Sequence, residues 1–388
     1  MTSFRHAVGT LALSLTLIAA GTLCMAEPSV ASREGGNPVS NPIGGRQLAA
    51  PGVIVNLQPG VPAPPAIPSA SFVLADMDTG QILVAKAPHA SHLPASTLKT
   101  LTALTLIPLL NPNAKILVRE QDVNVDGTHV GILPGTSYSV TTLLQGMLMA
   151  SGNDAAYALA RGNHGIATTL KAMNATAEDL GASDTVAKDP SGLDKAGQRS
   201  SAYDLALIGR AAMRLPAFRR FVRTKSATLP GGRSPDGTMK PSFIISNHNL
   251  LLHNYPGTIG IKNGYTIAAR YTYIEAATRG GKTYIVSEMG CSQAGWHPTA
   301  ALLNWAFAHG RSVTPIGELV EPGDAAASKP TVAPAAEPAA KAAQATAPHI
   351  VSAGQPGFSG WIGSALGIGA LALAGAWARR TMTARRRQ

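Results

Sequence analysis

The chain has 388 residues, enough for one large domain or two medium ones, and a formal net charge of +11. Arg5 and the five arginines of the closing "RRTMTARRRQ" supply a good part of that charge. What remains is a mild positive excess that suits anionic wall polymers. No basic run interleaved with aromatics argues for nucleic acid, which excludes that class of partner.

In chain order, residues 1–26 have a basic start, an apolar run and small residues ending at Ala26, the pattern of a signal peptide. Residues 27–68 are rich in Pro and Gly without a period and read as linker. A single domain is expected over 69–313, followed by an Ala/Pro-rich tether over 314–357. "FSGWIGSALGIGALALAGAWA", 358–378, carries no charge, has the length of a bilayer span and places Trp361 and Trp377 near its ends. The basic tail 379–388 then lies in the cytoplasm, with the domain exported and tethered to the outer face of the cell membrane. Cys24 leaves with the signal, so Cys291 stands alone and no internal disulfide forms. This combination suits a bacterial envelope protein.

Inside the domain, "SFVLADMDTGQILVAK" reads as a hairpin turning at Asp78-Thr79-Gly80, and "RYTYIEAATRGGKTYIVSEMG" as a second one turning at Gly280-Gly281. Residues 96–225 between them carry helical patterns. The last helix, "TAALLNWAFAHG", is expected to stop at Gly310 as its C′ residue. Strands at both ends around a helical middle predict an α+β fold: an antiparallel sheet closed by both termini, with an all-α subdomain on one side.

Three segments carry chemistry. In "LPASTLKTLTAL", Ser96 and Lys99 share a helical face, and Pro108 limits the helix to about three turns. A lysine acts as a base only when burial or a second cation lowers its pKa; otherwise the pair is a cap and a solvated lysine. In "LMASGNDAAYALA", Ser151 and Asn153 sit at a break between two helical stretches, where Ser151 is either a cleft residue or an N-cap. In "GTIGIKNGYT", glycines around Lys262 bring a strand close to something, and Lys262 either grips a carboxylate there or is an edge-strand lysine in solvent.

Ser-x-x-Lys, Ser-x-Asn and Lys-x-Gly in this order resemble the signature set of penicillin-binding proteins and serine β-lactamases. "DMDTGQIL", "ASGNDAA", "DPSGLD", "SSAYDLALIGRAA" and "NHNLLLHNYPGTIGIKNGYT" extend the resemblance across most of 70–310 to the low-molecular-mass D-alanyl-D-alanine carboxypeptidases, serine peptidase family S11. The resemblance implies the shared transpeptidase fold and acyl transfer through Ser96, with Lys99 as base. It implies backbone N–H groups of Ser96 and Tyr265 as an oxyanion hole, and Ser151 and Asn153 as proton relay and substrate guide. Lys262, Asn263, Gly264, Tyr265 and Thr266 would bind substrate. Peptidoglycan stem peptides become the expected partners and β-lactams the covalent inhibitors, with no metal or cofactor.

One position departs from the family: Asn263 stands where it usually has threonine, with altered substrate or β-lactam affinity as the expected effect. Thr266 is a nearby alternative hydroxyl. A DD-endopeptidase shares the same three motifs, and a non-catalytic wall- or β-lactam-binding module is the reading from another class. A class A β-lactamase would need an E-x-x-L-N segment between 151 and 262, and none is present. His248 and His253 lack a third ligand, and Asn247-His248-Asn249 reads as shaping a loop that leads to the third motif. Tyr203 and Asp204 read as helix-starting residues beside a capping Ser200 or Ser201, Glu288 and Asp194 as surface acids, and Cys291 as a small buried residue.

Overall fold

The structure is a computed structural model that describes residues 42–323 except residue 235. These residues belong to one contact unit, Met1–Thr331. The expected signal peptide, tether, membrane helix and cytoplasmic tail lie outside the described residues in whole or in large part. Among the described residues no helix is long and apolar enough to cross a membrane.

Strands β1 (Val53–Leu57), β2 (Ser71–Asp76) and β3 (Gln81–Lys86) open the domain. The helical region that follows holds α1 (Lys99–Leu109), α2 (Glu120–Val123), α3 (Val140–Met149), α4 (Asn153–Gly162), α5 (Ile166–Leu180), α6 (Ala202–Ala212), α7 (Pro216–Arg223) and α8 (Leu250–Asn254). Three ribbons decorate it: β4 (Lys115–Leu117) with β5 (Ser137–Ser139), β6 (Ser226–Leu229) with β9 (Phe243–Ser246), and β7 (Gly232–Arg233) with β8 (Met239–Lys240). The chain then returns through β10 (Thr258–Thr266), β11 (Arg270–Arg279), β12 (Lys282–Cys291), α9 (His297–His309), β13 (Val313–Thr314) and β14 (Gly317–Glu318).

The main sheet runs β10-β11-β12-β2-β3-β1-β13, with β14 also on β3, and its pairs are antiparallel. β2 reads as an unbroken apolar run because both sheet faces are covered. Val73 and Ala75 join the core beneath the helical region, whereas Phe72 and Leu74 join the core under α9. α6, buried nearly all round, lies on β12 and β2 and packs against α1. This places the N-terminus of α1 beside edge strand β10.

The sheet reaches beyond the expected limits of 69–313. Val53–Leu57, read as linker, pairs with β3, and Gly317–Glu318, read as tether, pairs with the same strand. Flanking Pro and Gly hid both segments, since short strands near the margin of a sheet tolerate such neighbours. Gly310 has φ −56 and begins a 3-10 turn, Gly310–Ser312, so it is not a left-handed C′ residue. Ser201, not Ser200, caps α6 by accepting from the Asp204 amide at 3.1 Å. Glu288 is a correction too. It is buried between Ser69 Oγ at 2.6 Å and Thr299 Oγ1 at 2.5 Å, because its inward position on central β12 faces α9.

Candidate active site

Ser96 lies in a 3-10 turn, Ala95–Leu98, that leads into α1. Ala95 before it has φ 48, a left-handed value that a non-glycine residue adopts only under constraint. The constraint is visible: Thr97 Oγ1 at 2.5 Å and Thr272 Oγ1 of β11 at 2.8 Å both donate to the Pro94 carbonyl. Behind the turn, Gly192 has φ 87, and a Cβ there would stand 1.9 Å from the Ala95 carbonyl oxygen. Ser96 stays partly exposed in a stretch that is otherwise buried.

Lys99 is fully buried. Its Nζ meets Ser96 Oγ at 2.9 Å, Asn153 Oδ1 at 2.6 Å and the Ser191 carbonyl at 2.7 Å. Burial first, then the positive charge of Lys262, hold its pKa well below the ordinary lysine range, while Asp189 and Asp154 oppose them. Neutral Lys99 keeps two N–H bonds, enough for Asn153 and Ser191, whose oxygens only accept. Its lone pair is then left for the Ser96 hydroxyl.

Ser151 and Asn153 occupy the α3–α4 break. Ser151 is buried with φ 60, and the N-cap position of α4 falls on Gly152, so the serine is not that helix's cap. Asn153 Nδ2 donates to the Asp126 carbonyl at 2.6 Å, which aims its oxygen at Lys99.

On β10, Lys262 is 1 % exposed although the strand is an edge, and its Nζ donates to the Asn263 carbonyl at 2.7 Å. Among the described residues it makes no hydrogen bond to Ser96 or Ser151; its link to the pair is the charge it exerts on Lys99. Gly264 passes so close that a Cβ would lie 2.6 Å from the Ser96 amide nitrogen. Asn263 lines a cleft of about 120 Å³ with His248, Tyr271, Tyr273, Glu275 and Trp296. Tyr265 is exposed, and its ring lies against Tyr271 at 4.5 Å between centroids, tilted by 36°. The Thr266 hydroxyl is already used: it donates to Asp194 Oδ1 at 3.0 Å and accepts from the Ala269 amide at 2.9 Å.

Asp189 went unassigned in the sequence. Its Oδ1 accepts from the Ser191 amide at 2.7 Å, the Gly192 amide at 3.0 Å and Ser191 Oγ at 2.5 Å, while its Oδ2 accepts from Tyr157. It therefore shapes the turn whose carbonyl holds Lys99. An Asp two residues before a Ser-Gly turn was the available signal. No group of three His, Cys, Asp or Glu side chains converges on a metal-sized site among the described residues.

An α+β sheet-and-helix domain with a partly exposed Ser96 on a buried Lys99 at the sheet edge places the chain in the class of DD-peptidase folds. More narrowly, the chain belongs to the D-alanyl-D-alanine carboxypeptidase family, peptidase S11, whose family model matches residues 59–293. It is 40% identical over 261 residues to the D-alanyl-D-alanine carboxypeptidase DacB2 of Mycobacterium tuberculosis, covering 65% of this chain and 87% of that one. It is 32% identical over 228 residues to DacF of Bacillus subtilis, covering 57% of each. A crystal structure of D-alanyl-D-alanine carboxypeptidase from Mycobacterium tuberculosis superposes with a TM-score of 0.63 at 38% identity, covering 68% of this chain and 100% of that one. The Streptomyces K15 DD-transpeptidase superposes with a TM-score of 0.60 at 29% identity, covering 64% and 100%.

Proposed function

We propose that this chain is a serine-type D-Ala-D-Ala carboxypeptidase that removes the terminal D-alanine from peptidoglycan stem pentapeptides and is acylated by penicillins. The observation that carries the reading is the buried Lys99 Nζ at 2.9 Å from Ser96 Oγ, with Lys262 as a second cation acting on it. Neutral Lys99 takes the Ser96 proton as Oγ attacks the carbonyl between the two D-alanines. The Ser96 and Tyr265 amides receive the oxyanion, a contribution of about 3–4 kcal/mol for a donor of this kind. Lys262 holds the substrate's terminal carboxylate, with Asn263 in the place of the family's threonine. Ser151 passes the proton to the leaving D-alanine, Asn153 orients the substrate, and water releases the acyl-enzyme. Family membership supports a cell-wall site of action. The sequence pattern of 1–26 and 358–388 supports export and a C-terminal membrane anchor.

Mass analysis of a stem pentapeptide after incubation tests the reading, with loss of one alanine expected. Cleavage of a cross-linked dimer in its place would make the chain an endopeptidase. A fluorescent penicillin is expected to label the wild type, with slow release, and not Ser96→Ala. An unlabelled wild type would leave only a non-catalytic wall-binding module.

A further inference from the structure

The chemistry proposed above leaves the cleft beside Asn263 without a use. Strand β10 is the edge of the main sheet, and its successive residues face opposite sides. Lys262 and Gly264 pair with Ile274 and Thr272 and face the helical region. Asn263 and Tyr265 pair with Tyr273 and Tyr271 and face the side of α9. The first side is full, since a Cβ on Gly264 would lie 2.6 Å from the Ser96 amide nitrogen. The cleft of about 120 Å³ lies on the second side, with Asn263 in its lining. One water needs roughly 10–15 Å³ of such space, so the cleft has room for several heavy atoms.

Its walls are built in advance and are largely apolar. The Tyr271 and Tyr273 rings lie 6.4 Å apart between centroids and 11° from parallel. The Tyr273 hydroxyl accepts from the Gly295 amide at 3.2 Å, which ties the loop before α9 to β11. Trp296 ends that loop and stacks on His297 at 4.2 Å, and Leu250 of α8 lines the cleft although 53 % exposed. Glu275 of β11, in the same lining, is already held by Asn249 Nδ2 at 2.6 Å. Burial raises Glu275 to about 8 and, before the charge of Lys262, lowers His248, so the acid and the histidine of the lining are mostly uncharged at neutral pH.

A terminal carboxylate held by Lys262 and Asn263 sets the α-carbon of the leaving residue at this sheet edge, where the open volume is the cleft. Taking the carboxypeptidase reading as given, we propose that the cleft is the subsite for the side chain of the leaving D-residue, and that it takes an uncharged, unbranched side chain longer than the methyl of alanine. A thioether chain such as that of D-methionine fits this chemistry, because sulfur packs favourably against aromatic rings. The bond cut and the fate of the proton are unchanged: the same amide breaks, and the leaving D-residue departs as the free amine. Asn263, standing where the family has threonine, borders both the carboxylate grip and the subsite.

The test is release of the terminal residue from stem pentapeptides ending in D-Ala-D-Ala, D-Ala-D-Met and D-Ala-D-Glu. With the wild type, kcat/KM for D-methionine is expected to exceed that for D-alanine by about tenfold, chiefly through a lower KM. D-Glutamate is expected to fall at least about tenfold below D-alanine, because its carboxylate would enter an uncharged cleft. A D-methionine value equal to or below that of D-alanine would overturn the proposal, as would D-glutamate released as fast as D-methionine. Ala294 of the lining is exposed, so a larger side chain there fills the cleft without entering the core. Ala294→Phe is expected to cut the preference for D-methionine over D-alanine at least about fivefold, and an unchanged preference in the folded variant would overturn the proposal. The wild-type comparison decides the matter if that variant does not fold. A wild type that releases no residue from any of the three peptides defeats the carboxypeptidase reading; one that releases D-alanine but not D-methionine defeats only this inference.

Discussion

At the residue scale, the proposed chemistry depends on how little charge Lys99 keeps. Its pKa is lowered by burial and by Lys262, so activity is expected to rise with pH through that lowered value as the ammonium gives up its proton. Asp189 works against this by favouring the charged form. Asp189→Asn should therefore move the acid limb of kcat/KM to lower pH, while the weakened turn costs about 1.5–3 kcal/mol in thermal or urea unfolding. An acid limb that stays in place or moves up would show that Asp189 acts on Lys99 through shape alone. Gly192→Ala is expected to cut penicillin acylation at least about a hundredfold or to abolish folding, because the added carbon meets the Ala95 carbonyl at 1.9 Å and φ is 87. Normal labelling of a folded Gly192→Ala protein would refute that. Asn263→Thr should change KM and β-lactam affinity more than kcat, since position 263 borders the proposed carboxylate grip and not the hydroxyl proposed to attack; unchanged constants would remove the role given to Asn263.

At the scale of elements, the site is held by ends more than by middles. The 3-10 turn before α1, the α3–α4 break and the edge strand β10 each offer one segment. Of these, two contain a non-glycine residue at positive φ, Ala95 and Ser151. Such strain persists only where neighbours over-determine it, as the paired hydroxyls on Pro94 do here. Ordinary caps behave differently. Ser139 Oγ accepts from the Thr142 amide at 3.1 Å at the start of α3. Ser139→Ala should cost about 1 kcal/mol of stability in a denaturant melt, with kinetic constants unchanged. A kinetic effect without a stability loss would mean that α3 positions Ser151 more delicately than its cap suggests.

At the scale of the whole molecule, the segments outside 69–313 complete the sheet. Leu48, Ile316, Leu319 and Val320 are buried, and the Tyr203 hydroxyl donates to the Glu318 carbonyl at 2.9 Å. Full burial of one such side chain is worth about 1.5–3 kcal/mol as an upper estimate. A fragment of residues 69–313 is therefore expected to melt well below one of 42–323; equal melting would show that these edges add nothing. Buried Glu275 also leaves a pH signature. Its pKa is raised from 4.5 to about 8, so its contribution to stability is fully present below the unfolded value and is lost as pH rises through about 8. The stability of wild type relative to Glu275→Gln should fall over that window, and a flat difference would place the ionisation elsewhere.

Local pattern was enough for the parts of this protein that depend on near neighbours. The two hairpins, the helical middle, the Ser96–Lys99 spacing, the break at Ser151 and the ordered trio of motifs were all readable because turn chemistry and i, i+3 geometry are short-range. Pairings across long separations were not readable. Whether Val53–Leu57 was linker or strand depended on β3, and whether Glu288 faced water depended on α9. The Ser191 carbonyl and Asp189 reach Lys99 only through chain reversals of ninety residues or more. Burial and electrostatic neighbourhood are properties of the assembled core, so the charge states on which the chemistry turns were set by tertiary structure alone.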